Sequence, residues 1–202
     1  MLVGKPVVLV IDIQKGAFFA PPPGGRLPLL PDFAERFHRA RTVVDAARRN
    51  NVPVIFFQEA HRPNLVDFGR ELDGTEDIHC VEGDPGTPLA TEEMGILPDD
   101  YVIKKRRYSC FFGTELEILL KGLGADTLIL TGGFTDVCVH YTFVDAHQHD
   151  YYCRVVEDCV SGSSPEAHAA SLRAMEYLQA GARRTTAEIL AAFEALKSSL
   201  AA

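Results

Sequence analysis

Residues 126–150 read DTLILTGGFTDVCVHYTFVDAHQHD. A short apolar run, TLIL, leads into two glycines, and helical spacing begins a few residues later. The reading is a buried strand over 127–133, a glycine turn, and a helix over 136–150. A cysteine, Cys138, stands where that helix begins.

The same alternation runs through the rest of the chain. PVVLVI (6–11), VPVIFFQ (52–58), YVIKK (101–105) and YCRVVED (152–158) read as further strands. Helices are predicted over 29–50, with Asp32 opening after Pro31, over 113–124, closed by glycine, and over 164–181, with Pro165 near its start and Gly181 at its end. Residues 182–200 predict a short strand and a final helix, PPPGG (21–25) a turn-rich loop, and 59–100 a long irregular segment. Strands of nearly continuous β-branched residues alternating with helices imply a parallel sheet covered on both faces. The expected fold is a three-layer, Rossmann-like α/β domain spanning residues 1–202, with a mostly parallel sheet of about six strands.

Composition narrows the function. A net charge of −8 argues against nucleic acid or an anionic membrane surface as the main partner. No apolar run is long enough to span a membrane. The N-terminal run is broken by an acid and reads as a strand rather than a signal peptide. Five cysteines without a CxxC pair argue against a disulfide framework or zinc ribbon, and reduced thiols point to the cytoplasm.

In a parallel α/β sheet, ligands bind beyond the carboxyl ends of the strands. Those ends carry Asp12, Gln58 and Glu59, Lys104 and Lys105, and the GGFTDVC turn. Asp12 reads either as a loop hydrogen-bonder or as a general base. Strand alternation sends Lys104 and Lys105 to opposite faces, so one of them can point inward. Cys138 reads either as a buried small hydrophobe or as a nucleophile at a helix start, where free N–H groups and the helix dipole would lower its pKa. His140 faces elsewhere, and His147 and His149 end their helix.

VLVIDIQKGAF, VIKKRRYSCFFGTELEILL, LILTGGFTDVCVHYTFVDA and RVVEDCVSG together resemble the isochorismatase-like cysteine hydrolases, from about residue 5 to 190. That family includes nicotinamidases, N-carbamoylsarcosine, biuret and ureidoacrylate amidohydrolases, and isochorismatases. The resemblance implies a catalytic set of Asp12, Lys105 (in KRRYSCF) and Cys138 (in TDVCV). It also implies a cis peptide at Gly133–Phe134, and an oxyanion hole from the N–H groups of Phe134 and Cys138. The implied reaction is acyl transfer through a thioester, with a small amide or ureide as substrate, no cofactor, and a homodimer or higher oligomer that could bury Phe112 or Tyr141.

Nicotinamidases carry Asp-x-His and a further His after strand two. Here QEAHRPNLVDF (58–68) places Glu59 and His61 near the first two positions, but Asp67 where the next His belongs. No metal is therefore expected, and nicotinamidase is disfavoured. Cys138 favours C–N cleavage over the vinyl-ether hydrolysis of isochorismatase proper. Phe18, Phe19, His61, Arg62, Tyr108 and Phe111 are expected pocket walls, with Arg62 a candidate for a substrate carboxylate. A silent binding or assembly protein on the same fold is the alternative; a phosphate-binding module is disfavoured by the lack of GxGxxG or GxxxxGK[ST].

Overall fold

The structure, a computed structural model, describes residues 2–19, 30–74 and 76–200, with side chains described through Leu196. The predicted PPPGG loop at 21–25 lies outside the described residues. Six strands form one sheet: β1 (Pro6–Ile11), β2 (Val54–Glu59), β3 (Tyr101–Lys105), β4 (Thr127–Gly133), β5 (Tyr152–Ser161) and β6 (Arg183–Arg184). Their order is β3-β2-β1-β4-β5-β6, and every pairing is parallel.

The helices are α1 (Phe33–Arg49), α2 (Thr91–Met94), α3 (Leu116–Leu123), α4 (Cys138–Gln148), α5 (Pro165–Leu178) and α6 (Thr186–Leu200). Asp32 precedes α1 without capping it; its carboxylate lies 2.8 Å from Arg36 Nε instead. The Ser164 hydroxyl accepts from the Ala167 N–H, and Pro165, which has no N–H to leave unpaired, opens α5. The predicted helix over 164–181 stops at Leu178, and Gly181 falls in the turn before β6. The irregular segment 59–100 contains one short helix, α2, and a 3₁₀ turn at Glu71–Asp73.

Period-two alternation in the strands divides the core into two layers. Val7, Leu9 and Ile11 of β1 join Ile55, Phe57, Leu128, Leu130 and the inner faces of α3, α4 and α5. Val8 and Val10 point the other way, to Phe56, Ile129, α1 and α6. Fully burying side chains of this size contributes about 1.5–3 kcal/mol each, so both faces of the sheet are fixed by the strand register.

The chain runs outward from β1 through β2 to β3, then returns to the other side of β1 with β4. That reversal opens a crevice beyond the carboxyl ends of β1 and β4. The two strands meet tightly there, with Ile11 opposite Gly132. A Cβ on Gly132 would lie 1.9 Å from the Ile11 carbonyl oxygen, and its φ of +107° is a conformation L side chains rarely adopt. Gly132→Ala is therefore expected to destabilise the fold by about 2–6 kcal/mol, combining backbone strain with overpacking. Urea unfolding checks this; a loss under 1 kcal/mol would mean that β1 and β4 can part without cost.

Candidate functional site

Four strand ends bring side chains to one point. Asp12 follows β1, Glu59 ends β2, Lys105 ends β3, and Cys138 opens α4 after β4. Glu59 and Lys105 are register partners across β2 and β3. Asp12 takes a φ of +52°, uncommon for a residue with a side chain, as its N–H donates to the Phe57 carbonyl at 3.1 Å. Lys104 and Lys105 do take opposite faces: Lys104 reaches Glu82 at the surface at 2.9 Å, while Lys105 is 1% exposed.

The Lys105 ammonium organises the cluster. Its Nζ lies 2.8 Å from Asp12 Oδ2 and 2.8 Å from Glu59 Oε2, donates to the Arg107 carbonyl at 3.0 Å, and sits 3.4 Å from Cys138 Sγ. Cys138 Sγ in turn lies 3.5 Å from Glu59 Oε2, and the thiol and both carboxylates fall within 4.8 Å of one another. Neither Asp12 oxygen has a well-directed hydrogen bond, although both are buried.

The two carboxylates are pushed apart in acidity. Burial raises Asp12 to about 6 against the pull of Lys105, and the charge of Glu59 raises it further. Burial would raise Glu59 too, but Lys105 and hydrogen bonds from His61 and His79 hold it well below the usual carboxylate range. Burial opposes the Lys105 charge, yet Asp12, Cys138 and Glu59 hold it well above the ordinary lysine value. This divergence marks Asp12 as the group able to exchange a proton near neutrality and Glu59 as a permanent anion. The expected lowering of the Cys138 pKa is corrected: burial pushes the thiol well up, and Lys105 offsets only part of it. A helix dipole contributes about 0.3–1 kcal/mol, less than one pKa unit, and does not reverse that.

The turn between β4 and α4 borders the same space through Gly133, Phe134, Val137 and Cys138. The Gly133–Phe134 peptide is cis. The Phe134 carbonyl accepts from the N–H groups of Val137 and Val139. Behind the turn, Asp136 accepts from the Ser163 N–H at 2.9 Å, and Thr135 pairs with His168 at 2.8 Å.

A cavity of about 550 Å³ opens onto Asp12, Glu59 and Cys138. Of the expected pocket walls, Tyr108 and Phe19 line it. Phe18 packs instead towards Phe37 and His38, with ring centroids 6.3 and 5.8 Å away. Phe111 stacks on His149 at 5.1 Å, on the α3–α4 side. Arg62 is corrected as a carboxylate-binding wall: its side chain is 60% exposed and sits 3.6 Å from Asp67. His61 is fully buried behind Glu59, stacked on Phe68 at 4.0 Å.

Two further features go beyond the sequence reading: the role of Gln14, and the joining of Glu71 and His79 to Glu59 and His61. Gln14 imitates a strand: its Oε1 accepts from the Glu59 N–H at 3.1 Å, and its Nε2 donates to the carbonyls of Glu59 and Thr87 at 3.0 and 2.6 Å. The adjoining backbone is stitched to the cavity wall, with Lys15 N–H donating to Pro88 and Gly16 N–H to Gly86. The second group is a quartet. Glu59, His61, Glu71 and His79 bring one ligand atom each within 4.8 Å of the others. Asp67, the third candidate in the sequence, is occupied by Arg62 and Arg106 instead.

The quartet's donors fit a divalent ion. His79 Nδ1 donates to the Asp77 carbonyl at 2.7 Å, and Nε2, 3.1 Å from Glu59 Oε1, either donates to that carboxylate as an imidazolium or is left as a lone pair for an ion. His61 Nε2 lies 3.4 Å from Glu59 Oε1 and 3.3 Å from Glu71 Oε2, and both Glu71 oxygens lack hydrogen bonds. Converging lone pairs need a cation between them, either a proton on the imidazole or a metal. Burial works against a charged His61, but Glu59 and Glu71 raise it to about 9. The expectation of no metal rested on the missing histidine at 67; residues further along the chain supply the donors.

Known proteins share this arrangement of the chain. The family model described as Isochorismatase domain matches residues 6–189. The chain is 29% identical to the uncharacterized isochorismatase family protein YwoC of Bacillus subtilis (strain 168), over 92% of this chain and 93% of that one. It is 31% identical to maleamate amidohydrolase of Pseudomonas putida, over 83% and 78%. It is 32% identical to ureidoacrylate amidohydrolase RutB of Yersinia enterocolitica, over 62% and 61%. Among solved structures, N-carbamoylsarcosine amidase from Thermoplasma acidophilum superposes with a TM-score of 0.73 at 29% identity, over 91% and 97%. Pyrazinamidase of Pyrococcus horikoshii in complex with zinc does so with 0.74 at 25%, over 90% and 98%.

Gln14→Ala leaves the buried N–H and C=O of Glu59 without their side-chain partner. The expected stability loss is about 1–3 kcal/mol. Measured by urea unfolding, an unchanged midpoint would show that the Gln14 amide does not hold Glu59 in place.

Proposed function

Because the chain belongs to the isochorismatase family, we propose that it is a cysteine-dependent amidohydrolase, cleaving a C–N bond of a small amide or ureide through a thioester. One observation carries this reading: a single buried ammonium touches a carboxylate and a thiol that face the same cavity.

The substrate carbonyl meets Cys138 with its oxygen toward the N–H groups of Phe134 and Cys138. Since the resting thiol is protonated, attack and proton loss are coupled: Asp12 takes the Sγ proton as the S–C bond forms. Lys105 keeps its proton and stabilises the developing thiolate and the Asp12 carboxylate. Glu59 holds Lys105 from the other side. Negative charge collects on the carbonyl oxygen, where each preorganised donor contributes about 3–4 kcal/mol. Asp12 returns its proton to the leaving nitrogen, and ammonia or an amine departs. Water then loses a proton to Asp12 and attacks the thioester; the acid is released, and Asp12 returns the proton to the departing thiolate, restoring the thiol.

Glu59, His61, Glu71 and His79 are the residues that would hold a divalent ion, which supplies Lewis acidity beside the cavity when bound. If they hold one, zinc should raise the Tm of chelator-treated protein, and His79→Ala should abolish that rise. Equal Tm values with and without zinc in the wild type would leave the His61 imidazolium as the cation of the quartet.

Cys138→Ala should abolish ammonia release from amide substrates while leaving the unfolding midpoint within about 1 kcal/mol of wild type. Asp12→Asn should lower kcat/KM by about 10²–10⁴-fold. Asp12 must be a carboxylate to accept the thiol proton, so kcat/KM should fall as pH drops through about 6. A profile flat down to pH 5 would remove Asp12 as the base, and full activity in Cys138→Ala would end the thioester mechanism.

A further inference from the structure

Four acids line the cavity around Cys138, and the one imidazole among the described lining residues, His79, is engaged with Glu59 at 3.1 Å. Asp12 and Glu59 lie at its floor, Glu76 on its wall and Asp84 at its exposed rim. Among the described residues no arginine or lysine lines it. The nearby cations are committed elsewhere. Arg62 sits on Asp67, Arg106 lies 2.9 Å from Glu82, and Arg107 reaches back to the Asp67 carbonyl. Lys105 lies beneath the floor, held by Asp12 and Glu59.

Glu76 and Asp84 have no side-chain hydrogen bond or ion pair among the described residues, and of the two only Glu76 is half-buried. Burial raises its pKa, His79 opposes this, and the charges of Glu59, Glu71 and Asp136 add to the rise. The same field reaches Tyr108, also on the cavity lining, where burial, Glu71, Glu76 and Glu59 push the hydroxyl up to about 12. A cleft lined by one sign of charge concentrates ligands of the other sign and repels its own.

We propose that the site selects amides whose remainder is cationic or uncharged and rejects carboxylates, with Glu76 reading that charge. The proposal rests on the amidohydrolase reading of the site and separates this chain from relatives named for ureidoacrylate, maleamate and N-carbamoylsarcosine, all carboxylates. Like-charge juxtaposition is an effective means of excluding a wrong substrate of the right shape.

Three amides of similar length test it: β-alaninamide (cationic), butyramide (neutral) and succinamate (anionic), with ammonia release measured at low salt. Expected kcat/KM falls in that order, with at least a roughly tenfold gap between the first and last that shrinks as salt is added. Glu76→Gln should narrow the gap several-fold, mainly through KM. A second measurement needs no turnover. Cys138 is labelled with 2-aminoethyl or 2-sulfonatoethyl methanethiosulfonate in a Cys80→Ser background, and rates are normalised to those with 2-mercaptoethanol. The cationic reagent should react at least tenfold faster, and Glu76→Gln should reduce that ratio. If the labelling ratio holds but none of the three amides is hydrolysed, the charge selection stands and the amidohydrolase reading is what loses support. Equal or faster reaction of succinamate and the anionic reagent overturns the proposal. So does an anion preference that Arg26→Ala removes, Arg26 lying outside the described residues. An unchanged ratio in Glu76→Gln overturns the role of Glu76.

Discussion

A fully buried ammonium is expensive, and the structure is arranged around meeting that expense. Lys105 is 1% exposed and holds two carboxylates at 2.8 Å each. Removing one partner from such a cluster typically destabilises a protein by about 3–5 kcal/mol, because the remaining charge is stranded. The cluster can form only if three strands end at the same level. β1 must deliver Asp12, β2 Glu59 and β3 Lys105, and the parallel register does this. The close meeting of Ile11 and Gly132 then lets β4 bring the Cys138 turn alongside.

The cluster also divides labour between its two acids. One ammonium serves both, but Glu59 is further stabilised by two imidazoles, while Asp12 has only Lys105 and the thiol. The less supported carboxylate is the one left able to accept a proton. Asp12 sits at positive φ, and its oxygens have the Lys105 ion pair but no well-directed hydrogen bond, a combination that recurs where a fold gives up local comfort for reactivity.

The alternation of apolar runs was enough to read the fold from the residues, because burial on both faces leaves a parallel strand little choice of composition. Asp12, Lys105 and Cys138 were legible for a related reason: each lies at or just after a strand end, and strand ends converge in this architecture. What lay between 59 and 100 was not. Glu71 and His79 return to Glu59 through a 3₁₀ turn and irregular backbone that has no period to detect. Their signal was only an acid and a histidine in a loop, 12 and 20 positions beyond Glu59. Arg62 and Phe111 misled because residue type suggests a ligand without saying which way a loop turns, and salt bridging to Asp67 and stacking on His149 took them elsewhere. A helix start is visible in sequence, but the burial that raises the Cys138 thiol is not.

Gln14 carries a consequence for how such an enzyme can diversify. Its one amide group ties the backbone of Glu59 to the carbonyl of Thr87, and Thr87 belongs to the loop that walls the cavity. The loop is thus not an interchangeable accessory clipped to a finished machine. Exchanging residues 80–90 for those of a relative would alter the cavity and, in the same step, slacken the tether on the residue that steadies the lysine. A transplanted loop has to bring a carbonyl to the same spot, which restricts the inheritance of new specificities to loops of compatible backbone path rather than compatible side chains.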